Sequence, residues 1–313
     1  MIDTLHLYLN SYDGKIDIDQ LADRMTNTIM STNAKTGECW VNGNLSNLKI
    51  SASAGYISVK GSLPNYYFGG NARIIKRSEI AEALEKMSDE LSLPMIKARV
   101  NRIDVSYHWQ MSKPINSYLS RLGRLSRYER VKATENTLYY YKGGKERIKT
   151  LCFYNKNKEY CEKNKELPEV YDDTNLLRYE CRFNKRVNKQ LGIELFAGNI
   201  SDKSIYKMLV SHWKKCYDDI SKNRTISKNF DNIHDVKSAI KWLLGYLQSE
   251  VDATTTNDIL SDMREQKVFS DNKYYSRLQK YLDDAKNKVV ADAGKDLMRE
   301  LDMCVTEVAS YPR

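Results

Sequence analysis

The sequence predicts an α+β protein: a duplicated antiparallel sheet over residues 1–190, followed by an all-helical region over 191–313. Three observations carry that expectation. Apolar residues alternate at a period of two in several short runs before residue 190, as in half-buried strands. The two parts of this stretch rhyme, each with an aromatic hairpin, an intervening segment and a strand with an acid at its centre. Beyond about Gln190 the spacing changes to the rhythm of amphipathic helices.

Taken in order, residues 3–9 alternate, with Leu5, Leu7 and Leu9 on one face. A helix is expected over 18–30, capped by Asp17 or Asp19. Two short strands, 39–41 and 48–51, flank an Asn42-Gly43-Asn44 turn, and a third covers 56–61. Residues 62–71 read as an aromatic loop. Ser78 caps a helix whose apolar stripe is Ile80, Leu84 and Met87. Over 98–109, Ile103, Val105, Tyr107 and Trp109 take the core side, leaving Arg102, Asp104, Ser106 and His108 on the other. A helix over 114–125 follows. Residues 137–142 and 148–160 form a hairpin across Gly143-Gly144, and its second strand puts Ile148, Thr150, Cys152, Tyr154 and Lys156 on one face. A charged linker, 159–173, leads to 176–183, where Leu177, Tyr179, Cys181 and Phe183 point inward and Arg178, Glu180 and Arg182 point the other way. Helices are expected over 203–221, 233–250, 256–266, 273–286 and 291–309.

Composition narrows the function classes. With 41% hydrophobic and 29% charged residues the chain is globular. A net charge of +9 points to an anionic partner, and 22 tyrosines beside six phenylalanines suit stacking on bases or bonding to phosphates. The six cysteines include no C-x-x-C pair, so no zinc motif or disulfide framework is visible; Cys152 and Cys181 act as small hydrophobes within strands. The opening lacks a basic, apolar leader pattern and nothing approaches 18 continuous apolar residues, so a cytosolic protein is expected. No P-loop, G-x-S-x-G, zincin or His-x-His motif occurs.

What remains is a set of residues suited to phosphodiester cleavage. That reaction needs a nucleophile, a cation to neutralise nonbridging oxygens, and basic groups to hold the strand. Tyr154 is the nucleophile candidate, with Lys156 and Lys158 to favour its phenolate; the competing role is simple packing in the sheet. Asp104 and Glu180 sit mid-strand on the non-core face, where a carboxylate is costly unless paired or metal-bound. They are candidate ligands for Mg²⁺ or Mn²⁺, with His108 as a third, and ion pairing to Arg102, Arg178 or Arg182 is the competing role. Arg102, Lys142, Lys145, Lys158, Arg178 and Arg182 are the DNA-binding candidates.

At these residues the chain resembles the filamentous-phage gene II replication proteins and the phage and plasmid rolling-circle initiators around them. Four blocks match in order: Met1-Ile2-Asp3-x-Leu5-x-Leu7-x-Leu9, Arg102-Ile103-Asp104, Thr150-Leu151-x-x-Tyr154-x-Lys156 and Leu177-Arg178-Tyr179-Glu180-x-Arg182. The loop from Gly61-Ser62-Leu63-Pro64 to Gly70-Asn71 is similar as well. The resemblance implies a nuclease domain that nicks one strand of origin DNA through a tyrosine, keeps the 5′ phosphate, and later rejoins the displaced strand. It places the nucleophile at Tyr154 and implies Mg²⁺ or Mn²⁺, origin duplex and displaced single strand, the host helicase, polymerase and single-strand-binding protein, and the cytoplasm of a bacterial host. The alternative is an initiator or repressor that binds DNA without cutting it. The helical C-terminal part is shorter than in the phage pattern.

Overall fold

A computed structural model describes residues 1–162, 171, 174–228, 230–231, 233–289 and 296–311. Ten strands form one antiparallel sheet: β1 (Ile2–Asn10), β2 (Thr26–Thr32), β3 (Cys39–Leu45), β4 (Leu48–Ser53), β5 (Tyr56–Ser62), β6 (Arg99–Met111), β7 (Glu129–Thr134), β8 (Thr137–Lys142), β9 (Lys149–Asn155) and β10 (Asn175–Phe183). Their order is β2-β3-β4-β5-β1-β6-β10-β9-β8-β7. From the central β1–β6 pair outward, each half runs first, fifth, fourth, third, second in its own chain order.

Helices are α1 (Ile18–Arg24), α2 (Leu63–Phe68), α3 (Arg77–Leu91), α4 (Ile115–Leu119), α5 (Lys156–Glu162), α6 (Val187–Leu191), α7 (Lys203–Asp218), α8 (Val236–Glu250), α9 (Thr255–Glu265), α10 (Asn272–Lys286) and α11 (Leu297–Ser310). The alternation in the strands decides where they pack. Leu5, Leu7 and Leu9, Ile103 and Val105, Leu151 and Phe153, and Leu177, Tyr179, Cys181 and Phe183 all point to one face and are buried. There Phe153 stacks on Tyr179 at 4.4 Å, and Tyr179 on Trp213 of α7 at 5.0 Å. The core does not stop at residue 190: Leu209, Trp213 and Tyr217 of α7 and Met298, Leu301 and Val305 of α11 belong to it. Further along, α8 packs on α10 at Gly245, where any side chain would put a Cβ 2.4 Å from the Ala285 carbonyl oxygen.

Several expected elements differ. The 18–30 helix stops at Arg24, and residues from Thr26 form edge strand β2, whose β-branched threonines suit a strand. The first hairpin turns at Ser46 (φ 54°), not at Asn42-Gly43-Asn44, which lies inside β3. The 62–71 loop contains α2, with Ser62 as N-cap and Gly69 in the left-handed region closing it. Helix α3 is capped at Lys76, where Glu79 accepts from the cap N–H, rather than at Ser78. The 114–125 helix shortens to Ile115–Leu119, and β7 was not foreseen. Strand β9 ends at Asn155, so Lys156 opens α5 instead of continuing the strand face. The 159–173 linker begins inside α5, and most of it, like the start of the 291–309 helix, lies outside the described residues.

Candidate active site on the polar face of the sheet

The face turned away from the core carries the polar residues of the central strands. Register places Tyr154 of β9 opposite Arg178 of β10, and Arg178 opposite His108 of β6. Glu180 faces Cys152 and Ser106, and Arg182 faces Thr150 and Asp104. Asp104 and Glu180 are therefore diagonal neighbours on adjacent strands.

Tyr154 donates its hydroxyl hydrogen to Glu180 Oε1 at 2.8 Å. Arg178 Nε donates to the same oxygen at 2.7 Å, and Arg182 Nε to Oε2 at 2.7 Å. Arg178, 2% exposed, also donates to Asp3 Oδ2 at 2.6 Å and Ser106 Oγ at 2.8 Å. Arg102 holds Asp104 through a two-pronged contact at 2.9 and 2.7 Å. The core of the site is thus three carboxylates, Asp3, Asp104 and Glu180, ion-paired with three guanidinium groups. The role as ion-pair partners that competed for Asp104 and Glu180 is the one their side chains take here.

Electrostatics follow from this pairing. Burial alone would raise Glu180, but Arg182 and Arg178 outweigh it and hold the carboxyl well below its ordinary range. Burial raises Asp104 to about 6 despite Arg102. Tyr154 is pushed well above the ordinary phenol value by burial and by Glu180. The phenolate favoured by lysines is therefore not the resting form; Tyr154 rests as a neutral donor. Lys156 Nζ stands 5.9 Å from the Tyr154 ring centre, but it is fully buried and bonded to Glu159 Oε2 at 2.6 Å and Asn71 Oδ1 at 3.3 Å. Burial and Arg178 lower it to about 8.

Of the remaining candidates, Lys158 is exposed and lines a cleft of ≈ 380 Å³ beside Tyr154, with Arg182, Tyr139, Thr137, Asn155 and Glu159. Lys142 shares parity with buried Leu138 and Tyr140, so it points to the helix-covered face, over the Tyr128 ring, and away from the Tyr154 cleft. Lys145 sits exposed in the turn beyond β8 and does not line the Tyr154 cleft. His108 is buried, and burial followed by Arg178 lowers it to about 3, which leaves it a neutral imidazole. Its Nδ1 has no partner among the described residues.

A hard divalent ion needs several oxygen ligands with free lone pairs. Each Asp104 oxygen accepts one bond and keeps a lone pair, whereas Glu180 Oε1 already accepts two. No group of three or more His, Cys, Asp or Glu residues among the described residues could hold a metal ion. As arranged, the residues do not fit a shared ion, and a guanidinium would have to leave Glu180 first.

Asp3 escaped the sequence reading for a physical reason. Strict alternation puts it with Leu5, Leu7 and Leu9 on the core side, but an irregularity between Ile2 and Leu5 re-aims it to the polar face. There it accepts from Ser62 Oγ at 2.6 Å, which ties α2 to the site. Asn71, just past α2, accepts from Tyr160 Oη at 2.7 Å as well as from Lys156.

The geometry has a counterpart among known proteins. A family model for the N-terminal part of the phage gene II replication-associated protein matches residues 1–203. The chain belongs to this family. The match takes in all ten strands and every residue of the Tyr154 cluster, so this sheet is the replication-associated domain of a phage-type protein. No curated protein matched the chain. No helix among the described residues is long and apolar enough to cross a membrane.

Proposed function

We propose that this replication initiator is a strand-specific DNA endonuclease and strand transferase in which Tyr154 is the nucleophile. The observation that carries the reading is the Tyr154–Glu180 hydrogen bond of 2.8 Å, flanked by two guanidinium groups at the edge of an open cleft. Tyr154 Oη attacks phosphorus and the bond to the 3′ oxygen breaks. The phenolic proton passes to Glu180 Oε1, and the 3′ oxygen leaves as a hydroxyl by taking a proton from solvent water in the open cleft. The 5′ phosphate stays on the tyrosine, and attack by a 3′ hydroxyl reverses the step and rejoins the strand.

In the resting site Glu180 is a poor base, because two arginines stabilise its charge. They are not equivalent. Arg178 is sealed in, whereas the Arg182 side chain is 26% exposed and lines the cleft. A phosphate in the cleft would draw Arg182 onto its nonbridging oxygens. The charge of Arg182 is the largest single influence lowering Glu180, so its departure raises the proton affinity of Glu180 as the phosphate arrives. Arg182 is then the transition-state cation, Glu180 the base, and Arg178 with Asp3 their support. Lys158 would hold a neighbouring phosphate, and the matched strand orders of the two halves support reading the nicking domain as a duplicated unit.

The test is incubation with supercoiled plasmid carrying the replicon's own origin. Wild type should give relaxed circles with protein attached through a bond that survives denaturant, and Tyr154→Phe should give none. Equal relaxation by both proteins would assign the nucleophile elsewhere. Specific binding without any adduct would favour the non-cutting initiator.

A further inference from the structure

The same face continues into the N-terminal half of the sheet, where nothing in the nicking reading uses it. The register there sets up an unusual row. Asn44 of β3 stands opposite Lys49 of β4, Lys49 opposite Lys60 of β5, Lys60 opposite His6 of β1, and His6 opposite Arg102 of β6. Like charges directly across a ladder are destabilising, so a Lys49–Lys60 pair is a cost to the fold. Both lysines are exposed, and neither forms an ion pair among the described residues. With Asn27, Asn42, Asn44, Ser51 and Ser58 they line a shallow depression of ≈ 330 Å³ that holds no carboxylate. His6 joins the row as a hydrogen-bonding group, with Nε2 2.9 Å from Ser58 Oγ. Arg102 ends the row and grips Asp104, which links it to the Tyr154 cluster.

Three strand intervals separate Lys49 from Arg102, about 14 Å at the usual spacing. Duplex DNA carries one phosphate per strand for about every 3.4 Å of axis, and the backbone winds around that axis with wider steps, so a row of this length meets more than one phosphate of one backbone. Around Lys49 and Lys60, amides, hydroxyls and cations without a carboxylate are the composition that phosphate backbone contacts use, and Arg102, held by Asp104, ends the row at the Tyr154 cluster. We propose that Lys49, Lys60 and Arg102, with the Asn42–Asn44 amides, form a track for the sugar-phosphate backbone of the DNA whose scissile phosphate reaches Tyr154. The proposal rests on the nicking reading and extends it: the N-terminal half-sheet holds the substrate that the C-terminal half cuts.

The experiment uses the full chain and two fluorescent 30-nucleotide probes of arbitrary sequence, one duplex and one single strand. Affinity is measured from low to moderate salt for wild type, Lys49→Gln/Lys60→Gln, and a control pair on the helical side, Lys203→Gln/Lys207→Gln. Each lost phosphate contact removes about one from the slope of log affinity against log salt. The track variant should therefore lose about two on at least one probe, and which probe says whether duplex or single strand lies there. The control pair should keep the wild-type slope. Thermal melting adds a readout that a structural role would not give, because relieving the Lys49–Lys60 repulsion should leave the melting temperature equal or higher while binding weakens. A folded track variant with unchanged slope overturns the track and leaves nicking at Tyr154 standing. Wild-type protein that binds neither probe overturns both.

Discussion

The two halves of the sheet share one strand order but fill their polar faces differently. In the C-terminal half, β6 and β10 alternate acids with arginines, and every central charge is matched within hydrogen-bond distance. In the N-terminal half, β4 and β5 present lysines and hydroxyls at the paired positions, with no acid among them. One topology thus supports two electrostatic solutions. A balanced, buried network can hold a tyrosine and a carboxylate in fixed geometry, because charges taken out of water persist only when paired. An unbalanced, exposed row keeps free positive charge for an outside anion. The contrast rests on six side chains of β6, β9 and β10 together with Asp3 of β1, which form the paired network that the N-terminal half lacks.

The largest effect that could break the comparison is at Tyr154. Tyr154→Phe keeps the ring and loses the hydroxyl, so covalent adduct should fall by on the order of 10³-fold or more, while origin binding persists. Adduct formation at wild-type level would mean that the C-terminal half is no more catalytic than the N-terminal one. Next comes Arg178→Met, which leaves Asp3 and Glu180 buried without their shared partner. Breaking a buried pair costs about 3–5 kcal/mol, readable by denaturant titration. The equivalent test in the other half, Lys60→Gln, should cost nothing.

The pH dependence separates the halves again. Asp104 is raised in the fold to about 6 from an ordinary value of 3.8, so between those values the folded state binds more protons than the unfolded one. Its contribution therefore declines as pH rises from about 4 to 6, by at most about 3 kcal/mol at about 1.4 kcal/mol per unit. Asp104→Asn should flatten that part of the stability profile. A profile that still falls equally in the variant would assign the proton to another group. Mn²⁺ titration of the DNA-free protein asks a related question. Three carboxylates matched by three guanidinium groups leave no net negative charge, so no saturable site is expected. Tight binding lost in Asp104→Asn would show that a guanidinium yields to the ion.

How much of this was legible in the sequence depends on what alternation can carry. Period-two patterns located β1, β5, β6, β8, β9 and β10, because each has a buried face of large apolar residues. They missed β2 and β7, edge strands exposed over most of their length, where no apolar face marks the period. The pairing partners of Asp104 and Glu180 could be read from their own strands, since Arg102, Arg178 and Arg182 lie two residues away. Asp3 could not, because an irregularity in β1 breaks the parity that the reading assumes. Lys156 was placed beside Tyr154 by carrying the strand past its end at Asn155; α5 still brings it near, by turning back over the site.

The smallest effect tests parity itself. Lys142 and Lys158 are both basic residues near Tyr154 in sequence, and composition cannot tell them apart. Lys142 lies on the core side of β8, over Tyr128, whereas Lys158 opens onto the cleft that holds Tyr154 and Arg182. Lys158→Gln should reduce the salt slope of DNA binding by about one, and Lys142→Gln should leave it unchanged. If the two variants behave alike, DNA does not run along the polar face past Tyr154, and the division of labour between the two half-sheets fails with it. If only Lys158 counts, the face of the sheet, more than closeness in the chain, decides which cations meet the phosphates.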